Sequence, residues 1–276
     1  MKTLIDWQRI LLECKNNVQV SLRTFSATIK ESQPNLGRGA GGDVMKPVDL
    51  AAENAIVDTL KHHDVSFTLV SEESGIKKFG TSAGERYVTV DPIDGTTNLT
   101  RGLPFYACSI AVSDKPMLGD VYAGLVADLF HDVTYTALRG KGAYRDGEKI
   151  GPSKIVSLDE AVIGLDLNTY KVEKIAPKLT ALIGETKHIR HFGANALELC
   201  YVAGGLTDGF VDLRGKLRTT DVAAAFLIVK EAGGIVSTPD DQAVNVELDP
   251  KKTLVFIASA NKQIHKKILN LVKSSC

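Results

Sequence analysis

The segment RYVTVDPIDGTTN, residues 86–98, limits what this chain can build more than any other. Its β-branched and aromatic start predicts a strand over 86–90 that delivers Asp91 at its end. Pro92 cannot donate to a sheet ladder, so the strand is expected to stop there. Asp94 follows across a turn that Gly95 keeps tight, and Thr96-Thr97-Asn98 can open a helical turn. The free N–H groups of such a turn favour an anion. Two carboxylates beside an anion cradle conflict, because like charges held together are costly. A divalent cation resolves the conflict by binding the carboxylates and the anion's oxygens at once. All-oxygen ligands favour magnesium, manganese or calcium over zinc.

Other strands are expected to end the same way. Residues 65–70 run into Glu72-Glu73 in LVSEESG. Asp221 in RTTDVAAAF opens a very apolar helix, where it could cap the helix and still present one oxygen to a metal. Asp49 starts a predicted helix over 49–62, after Pro47, and reads first as an N-cap. Before it, residues 3–31 predict one long amphipathic helix, with Leu11, Val18, Leu22, Phe25 and Ile29 on its stripe. Residues 35–43 hold Gly37, Gly39, Gly41 and Gly42 and predict a mobile loop, a surface linker or part of a site.

Further strands are predicted at 108–112, 121–127 and 133–138, with a hairpin turn at Asp146-Gly147. Beyond residue 155 the pattern changes. Strands at 161–165, 188–191, 209–212 and 254–258 alternate with helices at 172–183, 194–202, 222–232 and 263–272. This composition shift predicts an α/β class with two domains: residues 1–155, α+β, and residues 156–276, α/β.

The chain has 276 residues and balances 33 basic against 33 acidic side chains, so nothing global favours nucleic acid or a membrane surface. Cys14, Cys108, Cys200 and Cys276 have no metal-ligand spacing and read as reduced thiols, Cys108 and Cys200 as core filler. The first 17 residues carry charges within every apolar run, unlike a signal peptide or membrane span, which predicts a cytoplasmic protein. His188 and His191 read as packing residues.

The ordered set SEES at 71–74, DPIDGTTN at 91–98 and TDVAAA at 220–225 resembles the inositol monophosphatase superfamily, which includes fructose-1,6-bisphosphatases and nucleotide 3′-phosphatases. GKGAYRDGEKI, RHFGANALELCYVAGG and IASANKQIHKKIL extend the resemblance over nearly the whole chain. It implies a layered α-β-α-β-α sandwich and a phosphomonoesterase in which a metal-activated water attacks in line. Carried over, Glu72, Asp91 and the Ile93 carbonyl hold one metal, and Asp91, Asp94 and Asp221 a second. Glu72 faces a third, weaker one; Asp49 and Thr96 act on the water, and Glu73 supports them. Asp94, Gly95 and Thr96 cradle the phosphate. Glu72, Asp91, Asp94, Asp221 and Asp49 sum to a formal −5, which calls for two or three divalent ions once phosphate binds. The implied ion is magnesium, with manganese acceptable and lithium inhibitory.

FVDLRGKLRTTDVAAA and GRGAGGDVMKPVD are similar to the archaeal-type enzymes that act on fructose 1,6-bisphosphate and inositol 1-phosphate. Thr220 stands where many relatives have tryptophan. Arg190, Asn195 and Arg214 become the expected substrate contacts, arginine being suited to a second phosphate. The chain departs from the pattern at Gly41, where an acid is expected although Asp43 is near, and at Asn195, where a small residue is usual. The implied partner is a small phosphorylated sugar or cyclitol, not nucleic acid or membrane, and the implied assembly a homodimer. A 3′-phosphoadenosine phosphatase and a non-catalytic RNA-related relative are the alternatives.

Overall fold

The computed structural model describes residues 5–26, 37–82, 85–168 and 172–274. Residues 3–4 and 27–31 of the expected first helix, with Ile29, lie outside the described residues, as do Asn35, Leu36 and Cys276. The helix α1 (Trp7–Ser26) buries Trp7, Ile10, Leu11, Cys14, Val18 and Leu22, a stripe at three- and four-residue spacing. It pairs with α2 (Pro47–His62), which buries Ala52, Ile56 and Leu60. Pro47 takes the first helical position, where its missing N–H costs nothing. Asp49 is therefore not the N-cap. Lys46 holds that position, and Asp49 is left in the first turn with its carboxylate free for other work.

The first sheet contains β1 (Phe67–Ser71), β2 (Gly75–Phe79), β3 (Tyr87–Asp94), β4 (Ala107–Ser113), β5 (Val121–Asp128), β6 (Val133–Leu138), β7 (Gly142–Arg145) and β8 (Glu148–Lys149). Their order is β2-β1-β3-β4-β5-β6-β7-β8, antiparallel except for the parallel β1–β3 pair. The second sheet contains β9 (Val162–Leu165), β10 (His188–Arg190), β11 (Gly209–Arg218), β12 (Ile235–Ser237) and β13 (Thr253–Ser259), in the order β10-β9-β11-β13-β12. The remaining helices are α3 (Thr96–Arg101), α4 (Val172–Glu185), α5 (Asn195–Ala203), α6 (Thr219–Ala232) and α7 (Lys262–Ser274).

Side-chain alternation stacks these elements. Val88, Val90, Cys108, Ile110, Val112 and Leu125 form one core with α1 and α2. Ala107, Ala111, Val126 and Tyr135 face the other way, into a core shared with α5, α6, Phe210 and Phe256. Ile163, Leu165, Val211 and Ile257 line the far face of the second sheet with α4 and α7. The result is the α-β-α-β-α sandwich. Helix α6 lies between two sheets, which is why it is apolar all round, from Val222 to Val229. Cys108 and Cys200 are fully buried. The expected domain boundary near 155 falls between β8 and β9, where the chain leaves one sheet for the other. Among the described residues, no helix is long and apolar enough to cross a membrane.

The edge strand β2, for which no expectation was given, has mostly exposed central residues, Lys77 and Lys78 among them, so it carries no apolar alternation to read. One strand expectation needs correction: β3 does not stop at Pro92. It pairs Asp91 with Ser109 and Asp94 with Ala107, so three steps on β3 match two on β4. This bulge accommodates the proline without breaking the sheet.

Candidate active site

The bulge decides the site. In an uninterrupted strand, residues 91 and 94 point to opposite faces. The extra residue resets the alternation, so that Ile93 joins the core of Val88 and Val90, while both acids line the cleft. Parallel pairing of β1 with β3 matches Ser71 to Val90, which places Glu72 beside Asp91 at the strand ends. The first turn of α6 brings Asp221 to the same place. Together they border an open cleft of about 700 Å³, also lined by Asp49, Glu73, Asp94, Thr96, Asn195 and Arg214.

Carboxylate oxygens of Glu72, Asp91 and Asp221 lie within 4.8 Å of one another. Asp91 Oδ1 is buried and has no hydrogen-bond partner. Burial, and next the Glu72 charge, pushes the Asp91 carboxyl well above the usual range. Burial also pushes Glu72 up to about 8, against the pull of Arg218. Converging acids that resist ionisation, one with an orphaned oxygen, fit a hard divalent cation.

Asp94 sits differently. Burial raises it to about 7, yet its Oδ2 accepts from the Ala196 N–H at 2.6 Å, at the start of α5. One of its oxygens is thereby turned to the helix, and it stands beside the three-acid group rather than within it. Gly95 takes φ +87°, and a Cβ there would meet Ala194 Cβ at 3.1 Å, so the turn needs glycine.

Thr96 Oγ1 lies 3.1 Å from Asp49 Oδ1 and 2.9 Å from the Ile93 carbonyl oxygen. A hydroxyl has one proton, so it gives it to one of these two acceptors at a time. Burial raises Asp49 to about 6, and the Thr96 hydrogen bond opposes the rise. Glu73 is raised to about 7 by burial and by the Asp49 and Glu53 charges, and its buried Oε2 lacks a partner. Glu53, which sequence reasoning passed over, accepts from Ser71 Oγ and the Ser74 N–H behind the acidic turn.

The three expected substrate contacts part company. Asn195 lines the cleft, with its Oδ1 buried and unpartnered. Arg214 also lines it, but its guanidinium is held by Asp166 at 2.6 Å and by Asp212. Arg190 does not line the cleft. It is exposed and its Nη1 donates to the Ile189 carbonyl. His191, expected only to pack, lines the cleft with Asn168, Lys46 and Lys216. Asp166 follows β9 directly, the same strand-then-acid signal that marked Asp91; the signal was present and unused.

Behind this wall, Glu198 Oε1 accepts from the Phe192 and Gly193 N–H groups at 3.2 and 3.0 Å. Burial raises its carboxyl to about 8. A raised acid stabilises the fold fully below its unfolded pKa, about 4.3, and loses that contribution as pH climbs through the folded value. Glu198→Gln keeps an acceptor for both N–H groups and removes the titration. Urea unfolding is expected to show equal stability near the unfolded pKa and a growing advantage for Glu198→Gln up to about pH 8, by at most about 1.4 kcal/mol per pH unit. Parallel pH profiles would show that Glu198 stays ionised.

Fold and site point to one class of protein, a phosphatase that hydrolyses phosphate esters at a metal centre. The model of the inositol monophosphatase family matches residues 9–275, and the chain belongs to that family. It is 30% identical to the fructose-1,6-bisphosphatase/inositol-1-monophosphatase of Methanothermobacter thermautotrophicus, covering 97% of this chain and 96% of that one. It is 34% identical to the bifunctional NADP phosphatase/NAD kinase of Methanococcus maripaludis over 97% of its own length, but spans only 49% of that protein. The solved extragenic suppressor protein suhB of Bartonella henselae superposes with a TM-score of 0.84 at 28% identity, covering 98% of this chain and 99% of that one.

Proposed function

We propose that this protein is a magnesium-dependent phosphomonoesterase acting on fructose 1,6-bisphosphate, inositol 1-phosphate or both. The observation that carries the reading is the meeting of Glu72, Asp91 and Asp221 within 4.8 Å beside the Asp49–Thr96 pair. Glu72, Asp91 and Asp221 would hold the metal, with Asp94 and the Ile93 carbonyl as further oxygen donors. Magnesium there would supply Lewis acidity toward the phosphoryl oxygens and a water. Manganese would substitute, and lithium would inhibit.

The chain's own residues do the rest. With its proton turned to an ionised Asp49, Thr96 Oγ1 leaves a lone pair to orient a water. As the water gives a proton to Thr96 Oγ1, the Thr96 proton passes to Asp49, which holds it. Gly95 and Thr96 cradle the phosphate at the start of α3, and Glu73, whose ionisation the Asp49 charge opposes, lines the cleft beside Asp49. Asn195 offers its unpartnered Oδ1 to a substrate hydroxyl. Arg214 shapes the wall from its Asp166–Asp212 clamp.

The zero net charge supports a small phosphorylated partner over nucleic acid. Family resemblance supports a homodimer, which sedimentation checks, and the cytoplasm, which fractionation checks. A substrate panel tests the function: fructose 1,6-bisphosphate, inositol 1-phosphate, 3′-phosphoadenosine phosphate and NADP. Phosphate release from either of the first two is expected with magnesium and is expected to vanish with a chelator. Preference for a nucleotide would overturn the substrate; salt-sensitive RNA binding without any phosphate release would overturn the enzyme.

A further inference from the structure

Arg218 lies on the metal-site acids. Its Nη2 is 2.6 Å from Glu72 Oε2, its Nη1 2.9 Å from Asp43 Oδ2, and its Nε 3.4 Å from Asp221 Oδ1. Its backbone N–H also donates to Asp221 Oδ2 at 2.9 Å. Two of the three acids that converge on the candidate metal position are thus already paired with one guanidinium. The Arg218 side chain is 15% exposed and its partners Glu72 and Asp221 11% and 6%, so those two pairs are poorly screened.

The glycine loop is shaped to admit this arginine. The Gly41 N–H donates to the Glu72 carbonyl at 2.7 Å, and the Ala40 N–H to the Glu73 carbonyl at 3.0 Å, strapping the loop over the acidic turn. A Cβ on Gly41 would fall onto Arg218 Nη1 and within 3.0 Å of its Cζ. No side chain at position 41 is compatible with the guanidinium where it lies. The absence of an acid at position 41 and the presence of the arginine are therefore one feature.

We infer that Arg218 is a resident cation of this site, occupying the place of one divalent ion and competing with the last ion to load. The inference rests on the metal reading proposed above. Guanidinium stays protonated at any working pH, so only movement of the side chain can remove its charge. Each positive charge on Glu72 and Asp221 lowers the gain from adding another beside it. Glu72 Oε2, engaged at 2.6 Å, cannot at once accept a metal bond in the same direction.

The test measures Mn²⁺ binding to the full chain by calorimetry, with free Mn²⁺ counted by electron paramagnetic resonance. Arg218→Met removes the charge at similar length. Gly41→Ala keeps every charge and forces the guanidinium aside. In both, the last Mn²⁺ to load is expected to bind at least about tenfold tighter, a modest part of the repulsion between near charges. Metal-free Arg218→Met is expected to melt lower than the parent, with the gap closing on Mn²⁺ addition. Should Arg218→Met fail to fold, Gly41→Ala carries the comparison. Isotherms that match the parent, or weaken, in the folded variants overturn the inference and leave the proposed function standing. A parent chain that binds no Mn²⁺ overturns both.

Discussion

Asp91→Asn is expected to eliminate magnesium-dependent phosphate release, lowering kcat by about 10³-fold or more. Asp91 lies at the centre of the acids, with a buried oxygen that no protein group satisfies. Lewis-acid stabilisation of a phosphoryl group amounts to several kcal/mol, and each 1.4 kcal/mol is about a factor of ten. Asparagine preserves the shape and takes away the charge that recruits the ion. Stability should move the other way in the metal-free protein. Burial and the Glu72 and Asp94 charges raise the Asp91 carboxyl well above its usual range. Its contribution to stability is thus complete at low pH and is lost as pH rises through the folded value. Asparagine suffers no such loss, so metal-free Asp91→Asn should match or exceed the parent at pH 8, and magnesium should raise the Tm of the parent alone. Full turnover by Asp91→Asn would refute the metal assignment.

The second large effect concerns Asp49. Asp49→Asn is expected to lower kcat by about 10² to 10⁴, the usual range for a general base, with little change in KM. Asp49 titrates at about 6, raised by burial. The parent's rate should therefore climb as pH passes through about 6, where Asp49 ionises and draws the Thr96 proton toward itself. The variant should lack that limb. Thr96→Ser keeps the hydroxyl 3.1 Å from Asp49 and should retain most activity, whereas Thr96→Ala should resemble Asp49→Asn. An unchanged acid limb in Asp49→Asn would assign the titration to another group.

These predictions show which parts of the site were legible in the sequence. Glu72 follows β1, Asp221 stands in the first turn of α6, and Asp91 lies near the end of β3; strand ends and helix starts are where a layered sheet protein gathers polar groups. Local pattern marked them as candidates, Asp91 most strongly, and the family resemblance joined them into one site. The partnership of Asp49 with Thr96 was not local, since the two are 47 residues apart. Read alone, Asp49 resembled a cap. Pro47 at the first helical position displaced it into the first turn, and only the packing of α2 against β3 shows what it faces.

Arginine was the least legible residue type. Arg190, Arg214 and Arg218 sit within one stretch of sequence and meet three fates: solvent, a two-aspartate clamp, and the carboxylates of Glu72 and Asp221. A long, flexible side chain gives no periodic signal, and its head group finds whichever carboxylates the fold brings near.

By itself, the sequence determined the layered α/β class, the apolar helix destined for the interior, and the acidic segment Asp91–Asp94 that suits a hard cation. Those properties follow from period, composition and charge, which act over a few residues. Tertiary structure alone decided that β3 would carry Pro92 through a bulge and turn Asp91 and Asp94 to one face. It alone decided that Gly41 would make room for Arg218. The physical reason is the same for both: register between strands and the reach of a side chain across a cleft are set by neighbours distant in sequence.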